Sequence, residues 1–129
     1  TFCWGWATWR RAWKNFQGDI PFWPEWKESA EWKALTPDLN ERAYWDDIFT
    51  RVHSNAIHSS WFYPWLACVW YQGGITATSN VNLVSNIGIG PDATHTIMET
   101  EQPGAPIAAL GKITHPLKIE VNTDIDSSW

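Results

Sequence analysis

The sequence predicts an α-rich α+β fold: about four helices, one or two short strands, and long polar loops. Three observations carry that expectation. Aromatic residues recur at steps of three and four through the first 70 residues, where eleven of the twelve tryptophans fall. Prolines and glycines divide that stretch into segments of helical length. Beyond Gly74 the periodicity gives way to short alternating runs among Asn, Thr, Gly and Pro, and the only later tryptophan is Trp129.

The first helix is predicted over Gly5 to Phe16, where Trp6, Trp9, Trp13 and Phe16 form one face beside Arg10, Arg11 and Lys14. Gly18, Asp19 and Pro21 end it. Pro24 opens a second helix to about Leu35, with Glu25, Glu28 and Glu31 toward its positive end and Trp26 and Ala30 facing inward. Thr36 as N-cap and Pro37 in the first helical position start a third, whose stripe of Trp45, Ile48, Phe49 and Val52 runs to about His53. Ser59 or Ser60 caps a fourth, which tolerates Pro64 in its first turn, buries Trp65, Cys68 and Val69 with Trp61, and stops at Gly73 and Gly74. Ile75 to Ser79 and Leu117 to Val121 alternate apolar and polar residues and read as short extended strands.

A chain of 129 residues allows one module. Its start at Thr1, with Trp4, Trp6 and Trp9 following at once, reads as a piece of something longer. The net charge of −5 and the scattering of nine basic residues argue against a nucleic-acid partner. No run is long and apolar enough to span a membrane, so a soluble chain is expected, and two cysteines without a disulfide framework fit a reducing cytoplasm. Cys3 and Cys68 have no metal-ligand spacing and read as buried free thiols. His53 and His58 read as surface residues.

Chemistry concentrates in two places. Asn80 to Thr96, NVNLVSNIGIGPDATHT, offers glycines for close backbone approach at Gly88 and Gly90, acceptors at Asn86 and Asp92, and an imidazole at His95. The same string also reads as a surface turn whose Asn and Asp bond their own backbone. Asp46 and Asp47 follow Trp45 on the third helix; they point about 100° apart, so at most one faces a given site, as a general base or as a solvated acid. Asp124 and Asp126 have DxD spacing, which three residues produce readily by chance. Trp4, Trp23, Trp61 and Trp65, near element ends, are platforms on which a sugar ring could stack.

The strings CWGWATWRRAW (Cys3 to Trp13), WDD (Trp45 to Asp47) and NVNLVSNIGIGPDATHT resemble the C-terminal half of bacterial GT-A-fold glycosyltransferases, the nucleotide-diphospho-sugar transferases or hemolytic-protein-like family, over nearly all of Phe2 to Lys118. The resemblance implies the acceptor-side half of a GT-A domain, lacking the N-terminal nucleotide-binding half that carries the DxD motif. It implies a sugar moved from a nucleotide-diphosphate donor to an acceptor hydroxyl, with inversion at the anomeric carbon expected from a base on the acceptor side, in cell-surface glycan synthesis. Asp47 would be the base with Asp46 behind it, and His95 would complete a Mn or Mg site. Trp4, Trp6, Asn82, Asn86, Gly88, Asp92 and Thr94 would contact substrate. The partners would be a nucleotide sugar, a glycan acceptor and the missing half, without which the chain would be inactive. One departure is Phe62, where relatives carry an acidic residue. The alternative is a non-catalytic, tryptophan-rich carbohydrate-binding module; a third reading is a structural fragment packed against a partner.

Overall fold

The computed structural model describes residues 5–57, 60–85 and 106–121. Among them are five helices and no strand: α1 (Arg10–Trp13), α2 (Trp23–Trp26), α3 (Ala30–Leu35), α4 (Leu39–His53) and α5 (Phe62–Tyr71). The expected α+β fold is therefore corrected to an all-helical one. Ile75 to Ser79 and Leu117 to Val121 are irregular, with no strand pairing. A GT-A domain is built on a central sheet, so the same finding overturns the glycosyltransferase resemblance and the acceptor-half reading.

The chain divides into two compact units, Thr8–Ile75 and the combination of Thr1–Ala7 with Thr76–Trp129. The first contains all five helices. Its core joins Ile20, Trp23, Trp26, Trp32, Phe49, Val52, Leu66, Ala67 and Cys68. Helix α4 packs against both α5 and α2. α5, FYPWLACVWY, has no charged residue and buries Pro64 through Cys68, as a helix apolar on all sides requires.

Ring geometry specifies this core. Trp23 meets Trp26, Trp32 and Phe49 edge-on, with centroids 5.9, 5.2 and 5.3 Å away, the arrangement in which a ring's positive edge faces a negative π surface. Indole N–H groups find acceptors: Trp23 Nε1 donates to Thr50 Oγ1 at 3.1 Å and Trp32 Nε1 to Asp46 Oδ1 at 2.9 Å. Both acceptors sit on α4, so each bond also sets the helix's position against the aromatic layer. A smaller group stacks Trp13 on Phe16 at 4.7 Å and sets Trp13 against Trp65 at 5.1 Å, which ties α1 to α5.

The helix ends differ from expectation in instructive ways. α1 is a single turn because Trp9, with φ −81° and ψ 145°, is already extended at its N-cap. The second expected helix is two, because Ser29 accepts from the Trp32 amide at 3.1 Å and starts α3 afresh. That restart buries Trp32 and leaves Ala30 exposed. Thr36 is not the cap of α4: its hydroxyl donates back to Trp32 O at 2.9 Å, closing α3, and Asp38 caps α4 by accepting from the Asn40 and Glu41 amides. Pro37 enforces the break, since the residue before a proline is steered out of the helical region. Arg42 then reaches back to the carbonyls of Thr36, Lys33 and Pro37, supplying donors to the end of α3.

Two helices end in the same paired-bond motif. After α5, Gly73 (φ +63°) donates to Trp70 O and Gly74 to Val69 O; after α4, Asn55 (φ +62°) donates to Val52 O and Ala56 to Arg51 O. The fully buried Ile20 holds φ +39°, a costly conformation for a β-branched residue. The adjoining loop is pinned, with the Gln17 amide on Cys68 Sγ at 3.3 Å and His53 Nδ1 3.3 Å from Asp19 O.

In the second unit the described segments are irregular. Ala108 N donates to Asn82 O at 2.9 Å. Gly5 takes φ +61° with its Cα against Val84, where any Cβ would collide with the valine methyl.

Candidate ligand groove

The helical unit carries an open groove of about 470 Å³, built where α2, the turn to α3, α3 itself and the end of α5 come together. Phe22 and Trp26 from the α2 region and Trp70 and Tyr71 from the last turn of α5 form its aromatic part, with Leu35 and Gly73 at its limits. Glu25, Ser29 and Glu31 supply its polar groups.

The local fold places each of these. Tyr71 lies in the last turn before Gly73 reverses the chain, which brings its ring flat onto Phe22 at 4.1 Å with 7° between planes. Its edge meets Trp26 at 5.4 Å. Trp26 in turn packs on Trp32 at 4.8 Å, and Trp32 on Trp70 at 6.2 Å. The groove floor is thus the outer skin of the aromatic core and inherits its rigidity. Tyr71 remains 44 % exposed. Ser29 Oγ accepts from the Trp32 amide, which leaves its hydroxyl hydrogen to donate outward. Glu25 and Glu31 occupy the first turns of α2 and α3, and both are exposed. Neither forms an ion pair among the described residues.

None of the described residues expected to form a site lies in this groove. Asp46 is half-buried and accepts from the Trp32 indole. Asp47 is exposed, with Oδ2 3.6 Å from the Arg51 guanidinium one helical turn on. Trp6 is half-buried in the other unit. Asn82 accepts from Ala108 N through its carbonyl and from Val84 N through Oδ1, at 3.3 Å, in a local turn. Trp4, Asn86, Gly88, Asp92, Thr94 and His95 lie outside the described residues, as do Cys3, Asp124 and Asp126. Of the expected platforms, Trp23 and Trp65 are buried in the core and Trp61 is 44 % exposed.

Among the described residues no three His, Cys, Asp or Glu side chains are grouped to hold an ion, and His95, the expected metal ligand, lies outside them. With no strand among the described residues, the catalytic GT-A glycosyltransferase assignment falls. No described helix is long and apolar enough to cross a membrane. Cys68 is a free, buried thiol, and burial raises its pKa above the ordinary value.

The residues of the groove were missed because they come from opposite ends of the helical unit. Two signals pointed there: Ser29 three residues before Trp32, a start for a separate α3, and the Gly73–Gly74 pair that leaves Tyr71 at a helix terminus. No family model, curated protein or solved structure matches the chain.

Proposed function

We propose that the chain is a non-catalytic carbohydrate-binding module and that its ligand lies in the groove of the helical unit. The observation that carries this reading is a rigidly backed aromatic surface, exposed at Tyr71 and flanked by two carboxylates and a hydroxyl. A pyranose ring has one face of C–H groups and a rim of hydroxyls. The exposed Tyr71 ring, backed by the half-buried Phe22, receives the first by dispersion and apolar contact. Glu25 and Glu31 accept hydrogen bonds from the second, and such charge-assisted bonds contribute about 1.5–3 kcal/mol each. Ser29 adds a donor.

The tryptophan richness supports the same reading in an indirect way. Trp23, Trp26 and Trp32 are core, with Trp45 and Trp70 packed against it, and their mutual packing stiffens the surface of the groove. A preformed groove spares the ordering cost that a mobile site would incur on binding.

Binding to an array of immobilised glycans tests the reading. The unmodified chain is expected to be retained on a defined subset, and Tyr71→Ala to weaken that retention about tenfold or more, with the far-ultraviolet helix signal unchanged. Retention on no glycan, or retention unaffected by Tyr71→Ala, would overturn it.

A further inference from the structure

We infer that the glycan held in this groove carries free amino groups, as a chain of unacetylated 2-amino-2-deoxy sugars does; the inference rests on the carbohydrate reading above. It starts from an imbalance of charge. Glu25 and Glu31 line the groove without a cationic partner among the described residues.

Four cations on the neighbouring elements face other groups among the described residues. Lys33 Nζ donates to Glu28 O at 2.9 Å. Lys27 Nζ lies 6.0 Å from the centre of the Trp23 ring. Arg42 is held by three carbonyls at the end of α3. Arg51 lies beside Asp47.

The groove therefore joins two uncompensated carboxylates to an aromatic floor. Each attracts positive charge, the carboxylates by direct Coulomb interaction and the rings through the negative face of their π systems. A neutral sugar satisfies the hydrogen-bonding capacity of these groups and leaves their charge unmatched. An ammonium group on the sugar matches both, and does so on a ligand whose C–H face still stacks on Tyr71. N-acetylation removes that charge while preserving the pyranose ring, so the acetylated sugar is the natural comparison.

The test compares hexamers of glucosamine and of N-acetylglucosamine by titration calorimetry, at a mildly acidic pH that protonates the amines and at physiological ionic strength. The intact chain is expected to bind the glucosamine hexamer at least tenfold more tightly. In the Glu25→Gln, Glu31→Gln double variant the two affinities are expected to come within about twofold of each other. Because the whole chain is acidic, Glu41→Gln with Asp47→Asn serves as a control that removes equal charge away from the groove and is expected to keep the preference. Equal binding of the two hexamers, or a preference that survives the groove substitutions or disappears in the control, overturns the amine inference while the carbohydrate reading stands. If neither hexamer binds and the array is blank as well, both fall.

Discussion

The helical unit and the described part of the second unit use apolar residues in opposite ways. In the first, Trp23, Trp32, Phe49 and Ile20 are essentially inaccessible to water. In the second, Leu117 and Ile119 are 105 % and 86 % exposed, and Ile107 and Ile113 are well over half exposed. The tryptophans concentrate in the first, but aliphatic residues are plentiful in both, so hydrophobic content alone does not separate them. What separates them is the range of the backbone hydrogen bonds. A helix closes its bonds within a turn and then needs only one apolar face covered. A strand has no bonds of its own until a second strand arrives.

The largest expected effect tests that contrast directly. Trp32→Ala removes a fully buried indole that contacts Trp23, Trp26, Phe49 and Trp70, and should cost about 3–5 kcal/mol in urea unfolding followed by circular dichroism. Leu117→Ala should stay within about 0.5 kcal/mol of the parent, as exposed substitutions do. A loss above about 1 kcal/mol at Leu117 would mean that the segment belongs to a packed core after all.

A smaller effect tests Asp46 as a structural acid of α4. Asp46→Ala leaves the buried Trp32 N–H without its acceptor, at a cost of about 1–3 kcal/mol, while Asp46→Asn keeps an amide oxygen there and should cost less than about 1 kcal/mol. The indole proton resonance of Trp32 reports the bond itself and is expected to move upfield in Asp46→Ala but little in Asp46→Asn. An unmoved resonance in the alanine variant would sink this role for Asp46.

The same contrast explains how much was legible in the sequence. The stripe Trp45, Ile48, Phe49 and Val52 and the stop at His53 could be read because both are properties of one segment, and α4 bears them out. The start at Thr36 could not, because Thr36 and Asp38 are both competent caps and the choice depends on Thr36 closing α3 instead. The alternation in Leu117 to Val121 has strand character, yet alternation does not supply the neighbour a strand needs. The groove was illegible for a related reason: Phe22 and Tyr71 meet only once α2 and α5 have packed, and Glu25 and Glu31 look like ordinary helix-dipole acids until the rings beside them are placed. The glycines, acceptors and imidazole of Asn80 to Thr96 are the stronger local signal, and most of that string lies outside the described residues.

The smallest expected effect uses pH to probe how tightly the helical core is closed. Burial holds the Cys68 thiol protonated above its ordinary value of 9.0; the Gln17 backbone bond partly offsets this, and the Asp19 charge adds to it. The folded chain therefore keeps a proton that the unfolded chain releases first. The stability linked to this group is full below about pH 9.0 and declines as the pH rises toward the folded value. Ionisation also removes the hydrogen that Sγ donates to Gln17 O at 3.5 Å. Lysines and tyrosines titrate in the same range, so the informative quantity is a difference between two proteins that share them. In a Cys3→Ser background, Cys68→Ala should be less stable than its parent at neutral pH, since it leaves a small void, but should lose less stability on alkalinisation. Urea unfolding at neutral pH and at several values above 9.0 checks this. Parallel curves for the two proteins would mean that water already reaches the sulfur, and that the junction of α5 with the Gln17–Asp19 loop is looser than the rest of the aromatic core.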